Sequence, residues 1–215
     1  YFLADFRDDA MTPDYWQQAT QELAAADEHM AELVARYAGL GLVSRGDPFG
    51  TLARSIVGQQ ISVKAADAVW GRFVAAVGEV SPPAVLAAGE AGLAGCGLSR
   101  RKSEYVRDLA AHFASGRLDP AAWLAMDDEA VIVALTEVRG IGRWTAEMFL
   151  IFNQLRPDVF PLDDIGLQRA VHERYFGGEK QPRKVLAACG ERWRPWRSVA
   201  TWYLWRSLDP LPVEY

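Results

Sequence analysis

Apolar side chains recur every three or four residues along almost the whole chain, and this spacing constrains the fold more than any other feature. Such a spacing places the apolar side chains on one face of an α-helix, whereas a half-buried strand needs strict alternation. We find no convincing run of alternation. The sequence therefore predicts an all-α protein, with about eight to eleven helices.

Capping residues indicate where several helices begin. Ser81-Pro82 and Asp119-Pro120 each combine an N-cap residue with a proline that is favoured in the first helical turn. Thr12-Pro13 has the same form and precedes an apolar stripe that continues to Leu40. This stretch predicts one long amphipathic helix.

Composition indicates a folded globular chain and excludes several kinds of cofactor site. Of the 215 residues, 50% are hydrophobic and 24% are charged, which is not a disordered composition. Cys96 and Cys189 are the only cysteines, so a four-cysteine zinc or iron–sulfur site is excluded, and we expect two reduced, buried thiols. The three histidines are scattered, and we predict no metal site made of side chains.

No apolar run approaches the ~20 residues that a membrane-spanning helix needs. We therefore predict a protein that does not associate with membranes and lies inside the cell.

The charge distribution permits an anion-binding face without proving one. The net charge is −5, which argues against a polyanionic partner. However, residues 1–50 hold 3 basic and 9 acidic side chains, whereas residues 139–215 hold 12 basic and 9 acidic ones. The basic excess is thus confined to the last third of the chain.

A two-glycine turn joins two predicted helices at Arg139-Gly140-Ile141-Gly142-Arg143-Trp144-Thr145. Gly140 and Gly142 can take positive φ without a Cβ penalty, so the turn can be tight enough to direct successive backbone N–H groups and the start of the next helix at one point. That point suits a phosphate. Ile141 would fill the space between the two helices. An ordinary helix corner with glycine stops is the alternative for this turn taken alone.

Three further blocks accompany the turn in the same order along the chain, and they are the segments 53–62, 160–164 and 191–198. With them, residues 48–209 resemble the helix-hairpin-helix DNA glycosylases, and within these the 3-methyladenine DNA glycosylase II branch. The resemblance implies two helical lobes with the active-site cleft between them and no N-terminal β domain. Within a single unit of residues 1–215, residues 48–138 would form the first lobe, and residues 1–47 with 139–215 the hairpin-containing lobe.

The resemblance also implies a reaction and a catalytic residue. Enzymes of this family swing a damaged nucleotide out of the duplex and break the bond between its base and deoxyribose. Asp164 would stabilise the positive charge that develops on the sugar and orient water. We interpret Asp163 as the N-cap of the following helix, although either carboxylate could take either role.

The predicted base pocket contains Trp144, Trp205 and Met148. Indole faces attract a cation, so two of them would favour a positively charged alkylated base. Related enzymes that also cut the strand carry a lysine at the position of Trp144, and tryptophan cannot form a Schiff base. The sequence therefore predicts an enzyme without lyase activity that leaves an abasic site.

The remaining implied roles concern DNA. The hairpin residues would grip the DNA backbone, and these are Arg139, Gly140, Ile141, Gly142, Arg143 and Thr145. Gln60, with Gln59 before it, matches the position of the side chain that wedges into the duplex, although these glutamines could instead simply end a helix.

The expected partner is double-stranded DNA that contains alkylated bases, bound by a monomer. The resemblance also implies a location in the bacterial cytoplasm near the nucleoid or in a eukaryotic nucleus. No cofactor is required, and a monovalent cation, Na⁺ or K⁺, is implied at the hairpin carbonyls. Two alternatives stay open at this point: a catalytically silent DNA-binding module and a helical protein-interaction domain.

Overall fold

The structure, a computed structural model, describes residues 12–44 and 46–208. Within these residues the regular structure consists of twelve α-helices and contains no strand, which confirms the all-α prediction. The helix count exceeds the predicted range by one. None of these helices is long and apolar enough to cross a membrane.

The described part divides into two compact units, and the first comprises residues 46–149. Its helices are α3 (Pro48–Gly58), α4 (Val63–Val77), α5 (Pro82–Ala94), α6 (Arg100–Ala114), α7 (Pro120–Trp123), α8 (Asp128–Thr136) and most of α9 (Arg143–Phe152). Helix α6 packs against α3 and α5. A chain of edge-to-face ring contacts runs through its core from Phe49 to Phe113, Trp123 and Phe149. Trp123 is fully buried there.

The second unit comprises residues 12–44 and 150–208. Its helices are α1 (Trp16–Ala26), α2 (Glu28–Arg36), α10 (Ile165–Tyr175), α11 (Arg183–Glu191) and α12 (Arg197–Arg206). Helix α12 packs against α1, α2 and α10 and is buried along most of its length. Trp16 is buried against Trp202, with ring centroids 5.3 Å apart.

Asp27 divides the helix that the sequence predicted to be continuous from Thr12 to Leu40. Its backbone is extended, and its Oδ1 accepts hydrogen bonds from the first-turn N–H groups of α2. Its Oδ2 accepts hydrogen bonds from Tyr175 Oη (3.0 Å) and Trp193 Nε1 (3.2 Å). The prediction of one long helix was therefore wrong, because contacts from distant residues fix Asp27 as a cap.

Several local predictions are confirmed, and one is not. Ser81 and Asp119 cap α5 and α7, and a proline follows each of them in the first turn. Thr12-Pro13 does not start a helix, since α1 begins at Trp16. Cys96 and Cys189 are buried and free, and burial raises the pKa of both thiols.

The boundary between the units differs from the predicted one. Residues 139–149 pack with the first unit, whereas the sequence placed them in the hairpin-containing lobe with residues 150–215. The reason is a set of contacts with α3 and α6. Gln59 donates to the carbonyl of Gly140, and Asp108 accepts from the N–H group of Arg139.

Candidate active site

The two-glycine turn is a helical hairpin whose two glycines behave differently. Gly140 adopts φ +90°, which a glycine permits, and the ring of Tyr105 lies where a side chain at this position would be. Gly142 does not adopt positive φ. Its carbonyl instead accepts the N–H group of Ala146 (3.0 Å) and starts α9 in regular geometry. Ile141 is buried, as expected for a residue that fills the hairpin.

Fewer amide groups than predicted are available for an anion at the hairpin. The N–H group of Arg139 donates to Asp108 Oδ2 (2.9 Å), and that of Ile141 donates to the carbonyl of Val138 (3.1 Å). Among the residues that the structure describes, the N–H groups of Gly140 and Gly142 have no acceptor. The first turn of α9 adds the positive end of a helix dipole. The hairpin can therefore still bind an anion, but through fewer N–H groups than the sequence predicted.

Carboxylates compensate the charges of both hairpin arginines. Arg143 forms a two-pronged ion pair with Glu129 (2.8 and 2.7 Å) and also contacts Glu147 (3.1 Å). The hydrogen bonds with Glu129 raise the pKa of Arg143 further above its ordinary value, and those with Arg143 lower the pKa of Glu129. The guanidinium of Arg139 lies 3.6 Å from Asp108. These carboxylate partners could not be inferred from the sequence.

The structure separates the roles of the two glutamines. Helix α3 ends at Gly58, and Gln59 is its C-cap, so the helix-ending interpretation holds for Gln59. The Gln59 side chain donates from Nε2 to Gly140 O (2.7 Å). Gln60 adopts φ +59°, a conformation that is unfavourable for a side chain with a Cβ, and its side chain is exposed at the tip of the turn. Its role as a wedge stays a prediction.

The two adjacent carboxylates of the second unit have roles that differ from the prediction. Asp164, not Asp163, is the N-cap of α10, and its Oδ1 accepts the N–H group of Leu167 (2.6 Å). Asp163 is exposed and pairs with Arg183 (3.0 Å). The capping prediction for Asp163 was wrong, because the chain turns into the helix one residue later than expected. Asp164 is half-buried and held in a fixed orientation.

Trp205 contacts Asp164 directly, a relationship that the sequence did not reveal. Its indole Nε1 donates to Asp164 Oδ1 (2.8 Å), so the same oxygen accepts both the capping bond and the indole bond. One face of the indole stacks on Phe152, with ring centroids 5.6 Å apart and an interplanar angle of 13°. Gly166 makes room for this arrangement, since a Cβ there would lie 3.2 Å from Asp164 Oδ1 and 3.4 Å from Trp205 Cδ1. A glycine two residues after an acidic cap was the signal available in the sequence.

Trp144 and Met148 lie one turn apart on α9, in the first unit. Trp144 is 41% exposed, which is unusual for a large aromatic side chain and typical of a binding surface. Met148 is buried. Their predicted contact with a flipped base stays a prediction.

The described residues contain no cluster of histidine, cysteine, aspartate or glutamate side chains that could hold a metal ion. The carbonyls of Val138 and Gly140 in the hairpin already accept hydrogen bonds from Ile141 and Gln59. A monovalent cation there would have to share these oxygens with existing donors.

A match to a family profile identifies the superfamily of this chain. Residues 53–195 match the profile of the HhH-GPD superfamily of base excision DNA repair proteins. The chain belongs to this superfamily. The matched range includes the hairpin, the glutamine turn and Asp164, and it ends before Trp205.

Three comparisons with 3-methyladenine glycosylases show which branch of the superfamily the chain is similar to. DNA-3-methyladenine glycosylase 1 of Schizosaccharomyces pombe is 30% identical over 198 residues, which are 88% of this chain and 86% of that protein. The crystal structure of DNA-3-methyladenine glycosidase from Bacillus halodurans has a TM-score of 0.83 at 37% identity and covers 89% of both chains. The S. pombe 3-methyladenine DNA glycosylase in complex with abasic DNA has a TM-score of 0.75 at 29% identity and covers 88% of this chain and 96% of that one. These similarities confirm the predicted branch of the superfamily.

Proposed function

We propose that this chain is a DNA glycosylase that removes alkylated, positively charged bases such as 3-methyladenine, 7-methylguanine or 1-methyladenine from duplex DNA. The observation that carries the proposal is the fixed carboxylate of Asp164, in a chain that belongs to a superfamily of base excision repair proteins. The reaction is hydrolysis of the N-glycosidic bond, and its product is an abasic site.

The hairpin supplies the grip on DNA. A phosphate would accept hydrogen bonds from the N–H groups of Gly140 and Gly142 and face the positive end of the α9 dipole. These contacts read no base, so they can hold any sequence while a lesion is flipped out. The DNA complex of the S. pombe relative supports DNA as the partner.

Asp164 would act on the sugar. When the base departs, positive charge spreads over C1′ and the ring oxygen, and a fixed anion nearby lowers the energy of that state. The hydrogen bonds from Leu167 and Trp205 hold the carboxylate before the substrate arrives, so little reorganisation is needed during the reaction. The carboxylate can also orient the attacking water.

A positively charged alkylated purine is a good leaving group. Its positive charge is neutralised when the glycosidic bond breaks, so a general acid for the leaving group is not required. This chemistry is consistent with a site that has one proposed catalytic carboxylate, and it favours cationic lesions over neutral bases.

Trp205 has two roles in this proposal. It orients Asp164 through its N–H group, and the indole face that does not contact Phe152 would contact the extruded base. Trp144 would supply a second indole and Met148 an adaptable neighbouring surface. Because position 144 is tryptophan and not lysine, we propose that the enzyme does not cleave the strand.

We propose that the enzyme works as a monomer inside the cell and needs no cofactor. A cation at the hairpin would only support the turn that binds phosphate, and no catalytic step depends on it.

The test is an assay of purified protein with duplex DNA treated with a methylating agent. We expect release of free methylated bases, and strand breaks only after alkali is added. Binding of the DNA without release of a base would favour the catalytically silent module. Strand breaks without alkali would contradict the absence of lyase activity.

A further inference from the structure

The exposed turn that carries Gln60 is held by contacts from elsewhere in the first unit. It follows the end of α3, and the positive φ of Gln60 makes it locally unfavourable. A turn of this kind persists only when its surroundings fix it. The two contacts that fix it come from Lys102 and from the side chain of Gln59.

Lys102 bonds to the end of α3 from the first turn of α6. Its Nζ donates to Val57 O and Gln59 O, both at 2.7 Å. The contact places a cation at the negative end of the α3 dipole and satisfies carbonyls that have no helical partner. The same cation lies at the positive end of its own helix, beside Arg100 and Arg101, where it is unfavourable. The long-range bonds explain why a lysine occupies this position.

Gln59 connects the same turn to the hairpin. Its Nε2 donates to Gly140 O, while its own carbonyl accepts from Lys102. One residue therefore contacts both α6 and the hairpin.

Helix α6 contacts the hairpin through the same stripe that carries Lys102. Tyr105, three residues later, lies against Gly140, and Asp108, three residues later again, accepts the N–H group of Arg139. Residues spaced by three lie on one face of a helix. One face of α6 thus contacts the glutamine turn at Lys102 and the hairpin at Tyr105 and Asp108.

We infer that Lys102 and Gln59 are positioning residues that fix the Gln60 turn at a set distance from the phosphate-binding hairpin. This inference rests on the proposed function. When the hairpin holds a phosphate, Gln60 is already placed to enter the gap that a flipped nucleotide leaves. Loosening either contact would weaken insertion at a damaged site and leave binding to intact duplex nearly unchanged, because neither group needs to touch DNA.

The test compares two duplexes, one undamaged and one with a stable abasic-site analogue opposite 2-aminopurine. Fluorescence anisotropy gives the affinity, and 2-aminopurine fluorescence reports insertion. For Lys102→Met we expect affinity for the abasic duplex to fall about tenfold, as for loss of a charge-assisted hydrogen bond, and for Gln59→Leu about fivefold, as for loss of a neutral one. The insertion signal should fall with it, and affinity for the undamaged duplex should change less than about threefold.

Two matched variants separate positioning from charge. Arg100→Met removes the same charge from the same turn of α6, where Arg100 is exposed and pairs with Glu104 (3.2 Å). It should weaken both duplexes equally. Lys102→Arg keeps a donor that can reach the carbonyls and should restore the insertion signal. The double variant Lys102→Met/Gln59→Leu should lose less than the sum of the single losses, since both contacts hold one turn.

The inference is overturned if Lys102→Met weakens both duplexes by the same factor as Arg100→Met, or if Lys102→Arg does not restore insertion. If Lys102→Met folds poorly, the measurements on Lys102→Arg and Gln59→Leu decide whether the positioning inference holds. A failure of the proposed function would be distinguishable from a failure of this inference, because insertion at the abasic analogue requires no catalysis. A protein that inserts normally and releases no base would disprove the activity and leave the positioning role intact.

Discussion

Asp164 both caps α10 and, in our proposal, carries the catalytic charge, and substitutions can separate the two roles. Asn keeps an oxygen that can accept from Leu167 N and Trp205 Nε1, but it removes the charge. Ala removes the oxygen and the charge. Stability and activity should therefore respond differently to the two variants.

The magnitudes follow from the contacts. Loss of an N-cap costs about 1 kcal/mol of unfolding free energy. Leaving the half-buried indole N–H group of Trp205 without its acceptor costs about 1 kcal/mol more. We therefore expect Asp164→Ala to lose about 2 kcal/mol and Asp164→Asn about 0.5 kcal/mol. Both should slow base release by a factor on the order of 10²–10³, as removal of one preorganised electrostatic group does.

The assay pairs urea unfolding with single-turnover release of methylated bases. Asp127 caps α8 with the same geometry, Oδ1 to Ala130 N at 2.7 Å, so Asp127→Ala should show the stability cost of a lost cap at a nearly parental rate. Asp163→Asn removes the neighbouring carboxylate and should also retain the rate. If Asp164→Asn releases bases as fast as Asp163→Asn does, the catalytic assignment is refuted.

Three further variants test other features of the site and the fold. Gly166→Ala, whose Cβ would lie 3.4 Å from the indole of Trp205, should leave unfolding free energy within about 1 kcal/mol but slow base release several-fold; an unchanged rate would contradict the tight packing. Gly140→Ala, at φ +90°, would overlap a ring on α6 and should lose about 2–4 kcal/mol in urea unfolding, whereas Gly142→Ala, which meets open space, should lose less than about 1. Burial raises the pKa of Tyr203 to about 12, so its ionisation opposes folding above pH 10 and the stabilisation is lost as pH rises through 12. Between pH 9 and 12, the Tyr203→Phe variant should lose up to about 3 kcal/mol less unfolding free energy than the parental protein. Parallel stability profiles for the two proteins over this pH range would contradict the expected role of Tyr203.

The sequence predicted features that depend on local patterns. The all-α class, the caps at Ser81 and Asp119 and the buried Ile141 of the hairpin follow from residue spacing and from backbone preferences of single residues. The family could be inferred from four short blocks in the right order.

The errors concern residues whose state depends on distant partners. Asp27 interrupts a helix that the neighbouring residues would continue. Its side chain accepts hydrogen bonds from Tyr175 and Trp193, which lie 148 and 166 residues later in the chain. In the same way, the choice between Asp163 and Asp164 as the cap depends on the chain's path, and Arg183 and Trp205 contact them from later helices. Contacts between such distant residues cannot be inferred from local sequence patterns.

The compensated arginines of the hairpin have a consequence for how the protein would search a genome. Arg143 is engaged by Glu129 and Arg139 by Asp108, so the hairpin would displace few counterions from the DNA backbone. Intact duplex would then be held weakly and released quickly, with little dependence on ionic strength. Most of the residence time would fall at places where the helix is already easy to deform.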